Sequence, residues 1–266
     1  MSAAELDLAQ AREVGIRAAR AAGDVLRSRA DSIREVRLKT SNVDIVTDVD
    51  LQSERTIGRI LLEAFPSHSI LGEEGVAHGG ADHRHRWIVD PLDGTTNYAH
   101  GFPFYCVSIG LEVHGQLALG VVYSPSMQEL FVAERGRGAT LNGSPIRVSD
   151  TADLTGALLA TGFPYDHSQF DRALRSFDAL SRRTQAVRRA GSAALELCYV
   201  ACGRLDAYWE HQIKPWDVAA GALLVTEAGG QISKTDGSPF GVEAGQVLSS
   251  NGTLHAAVIE ALASTG

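Results

Sequence analysis

The sequence predicts a fold of layered α and β elements, and three observations predict it. Amphipathic helices open the chain, strands of period two follow from about residue 105, and the second half mixes short strands with helices. Residues 4–29 form the first helix, with Val14, Ala18, Ala21 and Val25 recurring at +4, +3 and +4 on one face and arginines on the others. Residues 31–47 read as irregular, with Lys39-Thr-Ser-Asn42 as a polar turn. A second helix covers 49–64, its core face made by Ile57, Ile60, Leu61 and Ala64, and Pro66 ends it. Ser69-Ile70-Leu71 is a short strand stopping at Gly72-Glu73-Glu74-Gly75, and the Arg-His pairs at 83–86 read as an exposed loop. Trp87-Ile88-Val89 is a buried strand. Residues 105–113, 116–123 and 128–134 make an antiparallel meander, and Asn142-Gly143 signals a further hairpin. Beyond about residue 153, strands are expected at Leu158-Leu159, 205–210 and 246–249, and helices at 168–181, 191–202, 216–228 and 252–263. The strand order does not follow from this pattern.

With 266 residues, 44% of them hydrophobic, the chain buries a sizeable core. It suits a single domain made of two tightly packed lobes, about 1–150 and about 151–266, since no linker, repeat or low-complexity tract divides it. The 24 basic and 32 acidic residues leave a net charge of −8. An acidic chain lacks the basic footprint that nucleic acid or an anionic membrane needs, so neither is expected as a partner. Three cysteines, Cys106, Cys198 and Cys202, are too few for a disulfide framework and fit a reducing cytoplasm. Cys198 and Cys202 share a helix face as small core residues, with no second pair to complete a zinc site. The first residues have no long apolar segment, and no run of about 18 apolar residues occurs, so a cytoplasmic location is expected.

The most informative segment is WIVDPLDGTTNYAHGFP, from Trp87 to Pro103. The buried strand ends in Asp90 and Asp93, followed by Gly94, Thr95 and Thr96. Carboxylates at a buried strand end are costly unless neutralised, and a hard cation such as Mg2+ takes oxygen ligands. A helix starting near Thr95 would aim backbone N–H groups at a phosphate. Glu73 ends a second short strand, and Asp217 stands in Pro215-Trp216-Asp217 ahead of the apolar run Val218 to Val225. Two carboxylates about 4 Å apart repel by about 4 kcal/mol at an effective dielectric of about 20, so a cluster of such groups calls for cations. Glu73, Asp90, Asp93 and Asp217 are therefore the expected ligands, with the Leu92 carbonyl as a further oxygen. Two adjacent metals clamp the attacking and leaving oxygens of a phosphoryl transfer.

Each of these residues also has a plain reading. Asp93 and Asp217 suit helix caps, and the cap explains Asp90 badly because it directly follows a strand core. Glu73 and Glu74 sit between glycines as a solvated loop would, and Glu210 suits an exposed strand terminus. Asp44 and Asp48 fit a polar loop and helix cap. Gly191-Ser192-Ala193 opens a helix, either as simple capping or as a phosphate cradle.

Separate blocks, in order and spacing, resemble the inositol monophosphatases. They are KTSNVDIVTDVD from Lys39 to Asp50, the GEEG of 72–75, DPLDGTTNYAHGFP, and GSAALELCYVACGRLDAYWE followed by PWDVAAGALLVTEAGG. The resemblance implies an α+β fold, a layered αβαβα sandwich of the sugar-phosphatase type. It implies Mg2+-dependent hydrolysis of a small phosphate monoester, with two or three ions per site. By the same resemblance, one ion is held by Glu73, Asp90 and the Leu92 carbonyl, and a second by Asp90, Asp93 and Asp217. Thr95, hydrogen-bonded to Asp50, helps position the attacking water, and the amides of Gly94 and Thr95 meet the phosphate. Asp93, Ala193 and Glu210 match positions that touch the polyol, with Gly191 and Ser192 beside them, and Lys39 matches a lysine in a mobile loop over the metals. Lithium sensitivity and a homodimer are further implications. The expected substrate is myo-inositol 1-phosphate; fructose 1,6-bisphosphate, histidinol phosphate or a phosphoadenosine nucleotide are the alternatives on the same site. Lys214 and the loop-like segment Thr161 to Arg172 are where substrate choice would be set. A regulatory protein that binds the transcription machinery, with phosphatase activity incidental, is the alternative of another class.

Overall fold

A computed structural model describes residues 6–30, 36–38, 45–75, 80, 82–164 and 167–264. Helix α1 (Leu8–Arg29) is capped by Asp7, whose carboxylate accepts from the amides of Ala9 and Gln10 at 2.9 and 3.1 Å. Strands β1 (Val36–Leu38) and β2 (Ile45–Thr47) pair antiparallel within the stretch expected to be irregular. Three residues are too few to show a periodicity, which is why the hairpin escapes a sequence reading. Next come α2 (Asp48–Ala64), β3 (His68–Gly72), β4 (Asp82–Asp93) and the short α3 (Thr95–Ala99).

The expected exposed loop at 83–86 is instead the first part of β4, so that expectation is corrected. His85 and Arg86 are satisfied at the sheet rather than in water. His85 Nδ1 lies 2.9 Å from Asp82, and Arg86 pairs with Glu112 and Glu243 at 2.8 Å each. The meander follows as expected in β5 (Cys106–Val113), β6 (Gln116–Ser124) and β7 (Glu129–Glu134), and continues into β8 (Ala139–Leu141) and β9 (Ser144–Ile146) around Asn142-Gly143.

The second half holds β10 (Leu158–Thr161), α4 (Phe170–Ser181), β11 (Ala186–Arg188), α5 (Ala193–Ala201), β12 (Ala207–Glu210), α6 (Pro215–Glu227), β13 (Gln231–Ser233), β14 (Val247–Ser250) and α7 (His255–Ala263). The segment 161–172 is less loop-like than expected: Thr161 closes β10, a helical turn spans His167–Gln169, and Phe170 starts α4. Residues 165–166 lie outside the described residues.

Among the described residues, a seven-stranded sheet runs β3-β4-β5-β6-β7-β8-β9, antiparallel except for the parallel β3–β4 pair, and a five-stranded sheet runs β11-β10-β12-β14-β13. Helices α1 and α2 cover one face of the larger sheet, where Leu26, Ile57 and Leu61 meet Trp87, Val89, Ile109 and Val121. Helices α5 and α6 fill the space between the two sheets, in a core that joins Val122 and Phe131 to Leu197, Val218, Leu224 and Tyr208. Helices α4 and α7 cover the outer face of the smaller sheet, with Leu180 and Val258 against Leu159, Trp209 and Leu248. The layers therefore alternate helix, sheet, helix, sheet, helix, and the middle core draws on both halves of the chain.

Two glycines set how closely α6 lies on the larger sheet. A Cβ on Gly110 would sit 2.9 Å from the Cβ of Ala219, and one on Gly120 would sit 2.6 Å from the carbonyl of Ala220. Both strands thus need glycine where the helix backbone crosses them. That close crossing carries the N-terminus of α6, and with it Asp217, to the end of β4. Among the described residues no helix is long and apolar enough to cross a membrane.

Candidate active site

Strand β4 is parallel to β3 and antiparallel to β5, and its pairing with β5 shifts register between Asp90 and Asp93. The irregularity turns both carboxylates to the same end of the sheet. Asp90 is buried, and its Oδ1 accepts from the Leu92 amide at 2.9 Å. Asp93 Oδ2 accepts from the Ser192 hydroxyl and the Ala194 amide, each at 2.7 Å. Asp217 Oδ2 accepts from the Lys214 amide at 2.8 Å. One carboxylate oxygen from each of Asp90, Asp93 and Asp217 lies within 4.8 Å of the others.

Their electrostatics follow from burial and crowding. Burial pushes the Asp90 carboxyl well above its ordinary pKa, and the negative charges of Glu73, Asp93 and Asp217 push it further. Burial likewise lifts Asp93, to about 6, against the hydrogen bonds from Ser192 and Ala194 that favour its charged form. Asp217 is raised by burial and by Asp93 and Glu73. Among the described residues, none of the Lys, Arg or His ion pairs involves these three carboxylates. An all-oxygen set of mutually repelling carboxylates fits a hard divalent ion such as Mg2+.

The helix caps expected from sequence fall elsewhere. Gly94, not Asp93, is the N-cap of α3; its φ of 96° is left-handed, a conformation glycine adopts without a Cβ penalty. Lys214, not Asp217, is the N-cap of α6, and Asp217 at the third helical position reaches back to the Lys214 amide. Ser192 is the N-cap of α5, yet its hydroxyl makes no capping bond and donates to Asp93 instead.

Thr95 Oγ1 lies 3.1 Å from Asp50 Oδ1 and 3.0 Å from the Leu92 carbonyl. Asp50 is buried in the first turn of α2. Asp48 is the exposed first residue of α2, whereas Asp44 and Lys39 lie outside the described residues. Glu73 follows β3 in a bend, and its amide donates to the Val89 carbonyl at 3.1 Å. Its charge acts on both Asp90 and Asp217.

Glu210 ends β12. It is not the exposed strand terminus that the plain reading describes, because burial raises its pKa to about 7 while the Tyr208 hydroxyl donates to it. Gly191 and Ala193 flank Ser192 at the mouth of α5.

Three supporting residues were not singled out from sequence. Asn97 Nδ2 donates to the Phe104 carbonyl at 2.7 Å and the Ala190 carbonyl at 2.8 Å, tying α3 to the segment before α5. Ser53 Oγ donates to the Pro91 carbonyl at 2.8 Å, and Glu54 accepts from the Glu74 amide at 2.8 Å. The signal for Glu54 was present. Asp50, Glu54, Ile57 and Leu61 follow one helical stripe, and an acid on an apolar stripe marks a buried polar contact.

Two sheets sandwiched among helices place a carboxylate cluster at a strand end beside two helix starts. Residues 7–266 match the model of the inositol monophosphatase family, and the chain belongs to that family. It is 46% identical over 254 residues to a protein of Synechocystis sp. named inositol-1-monophosphatase, covering 95% of this chain and 88% of the relative. It is 45% identical over 244 residues to a protein of Pseudomonas aeruginosa named Nus factor SuhB, covering 90% of each chain. The solved inositol monophosphatase of Anabaena (Nostoc) sp. superposes with a TM-score of 0.88 at 43% identity, covering 97% of both chains.

Proposed function

We propose that this chain hydrolyses a small phosphorylated polyol, myo-inositol 1-phosphate first among them, with Mg2+ held by Glu73, Asp90, the Leu92 carbonyl, Asp93 and Asp217. The observation that carries the reading is the convergence of three carboxylates within 4.8 Å at one strand end. The ions, two or three per site, supply charge neutralisation for a dianionic ester and a lowered pKa for the attacking water.

The remaining work belongs to the chain's own side chains. Thr95 has one hydroxyl proton and two acceptors in reach, the Leu92 carbonyl at 3.0 Å and Asp50 at 3.1 Å; with the carbonyl turned to a cation, the hydroxyl donates to Asp50. A lone pair of Thr95 Oγ1 is then left to accept a hydrogen bond from a water, orienting it toward the phosphorus. The Gly94 and Thr95 amides, at the start of α3, meet phosphate oxygens. Asp93 and Glu210 accept hydroxyl protons of the polyol, and Ala193 lies against it. Gly191 shapes the same wall, and Ser192 acts there by holding Asp93 rather than by touching the substrate. The negative charge of Asp93 adds to the burial that raises the Glu210 carboxyl.

A substrate panel with and without Mg2+ tests this reading. Rapid phosphate release from myo-inositol 1-phosphate, abolished by chelator, is expected. Faster turnover of fructose 1,6-bisphosphate, histidinol phosphate or a phosphoadenosine nucleotide would reassign the substrate while leaving the chemistry in place.

A second reading has one observation in its favour: the relative from Pseudomonas aeruginosa bears the name of a Nus factor. In that reading the chain binds a regulatory partner and hydrolysis is incidental. Complementation with Asp93→Asn decides between them, because a role that survives loss of hydrolysis is not the enzyme's.

A further inference from the structure

We propose that Glu54 is a positioning residue: it fixes the Glu73–Glu74 turn against the end of β4 and so sets the divalent-cation affinity of the site. The inference rests on the reading that Glu73 and Asp90 share a cation.

Helix α2 presents three polar side chains that are 0% exposed, Asp50, Ser53 and Glu54, and each grips a different segment of the site. Asp50 meets Thr95 at 3.1 Å, and Ser53 donates to the carbonyl of Pro91, between Asp90 and Leu92, at 2.8 Å. Glu54 accepts from the amide of Glu74, the residue after Glu73, at 2.8 Å. The segment bearing Glu73 is thereby pinned on both sides. The Glu73 amide is tied to Val89, next to Asp90, at 3.1 Å, and the following amide is tied to α2.

The backbone is shaped around the Glu54 carboxylate. A Cβ on Gly72 would lie 2.5 Å from the Glu54 carboxyl carbon and 2.6 Å from both oxygens. The last residue of β3 therefore leaves room for the acid rather than for a side chain of its own. A carboxylate on a helix stripe otherwise made by Ile57, Ile60 and Leu61 is costly to bury, and an apolar residue would pack there without that cost. What an apolar residue cannot do is hold the Glu74 amide, and through it the backbone that aims Glu73. Partners behind metal ligands typically account for about 10- to 100-fold in metal affinity.

The test is Mn2+ binding, followed by the electron paramagnetic resonance signal of the free ion, with thermal unfolding of each protein alongside. The proteins are the unaltered chain, Glu54→Ala, Glu54→Gln, Glu73→Gln and the Glu54→Ala/Glu73→Gln pair. Glu54→Ala is expected to weaken Mn2+ binding about tenfold or more. Glu54→Gln, which keeps a carbonyl acceptor for the Glu74 amide, is expected to restore most of that loss. Glu54→Ala is expected to add nothing once Glu73 is already neutralised. Unchanged affinity in Glu54→Ala, or an equal loss with and without Glu73, overturns the proposal. Should Glu54→Ala not fold, Gly72→Ala displaces the same carboxylate with a methyl group; a loss of affinity supports the proposal and unaltered affinity overturns it. If Glu73→Gln binds Mn2+ as well as the unaltered chain does, the cation reading of Glu73 fails first, and this inference with it.

Discussion

Asp93 takes two 2.7 Å hydrogen bonds on one oxygen, from Ser192 and from the Ala194 amide at the start of α5. Those bonds come from the C-terminal half of the chain, so a residue of the larger sheet is aimed by a helix of the middle layer. Asp93→Asn removes a charge while retaining the shape, and phosphate release is expected to fall by more than about a hundredfold with the unfolding temperature little changed. Parallel steady-state assays and thermal melts check it. Thr95→Val, which deletes the hydroxyl held by Asp50, is expected to lower kcat by about 10²- to 10⁴-fold with little change in KM, whereas Thr95→Ser keeps most of the rate. The cation dependence has a defined pH direction. The Asp93 carboxyl is raised to about 6, and Asp90 and Asp217 are raised as well. Cation binding requires the ionised forms, so Mg2+ must displace protons at pH 5 but few from Asp93 at pH 8. Calorimetric titration is expected to show affinity falling as pH falls from 8 to 5, with proton release growing over the same interval.

At the scale of elements, the crossing of α6 over β5 and β6 decides where Asp217 lies. Gly120→Ala puts a methyl group where the Ala220 carbonyl passes at 2.6 Å, and overpacking of this kind costs about 1–3 kcal/mol. Urea unfolding is expected to show that loss, together with weaker Mg2+ binding as the start of α6 shifts. The elements themselves were largely legible in the sequence. Long helices such as α1 and α2, and the meander from β5 to β7, carry enough repeats of their period to be read. The hairpin of β1 and β2, three residues per strand, and the start of β4 at Asp82 were not legible. In β4 the polar side chains imitate a loop, and their ion pairs to Glu112 and Glu243 come from segments distant in sequence. The strand-end acids Glu73, Asp90 and Asp93 were visible because strand cores stop at them. Glu54 carries a sequence signal, an acid on the stripe of Ile57 and Leu61, but its partner is legible only in the fold, which sets the Glu74 amide beside it.

Across the whole molecule, two sheets and three helical layers bring to one place carboxylates that lie as far apart in sequence as Asp90 and Asp217. The same architecture buries histidines whose ionisation opposes folding in acid, His68, His211 and His255 among them. Burial lowers the pKa of His68 to about 4, helped by the nearby His85 and opposed by Asp82, and burial lowers His211 to about 4 as well. A histidine with a depressed folded pKa takes up its proton more readily when unfolded. Its contribution is therefore fully present above about pH 6.5 and is lost as pH falls from there toward 4. The unfolding temperature is expected to decline across that window, and His211→Gln is expected to flatten the decline, as thermal melts between pH 7 and pH 4 check.

The most direct measurement of the central claim is anomalous diffraction from crystals of the protein grown with Mn2+. The account predicts density for one ion at Glu73, Asp90 and the Leu92 carbonyl and for a second at Asp90, Asp93 and Asp217, and the loss of both in Asp90→Asn. Ions bound elsewhere on the surface, with that strand end left without one, would contradict it.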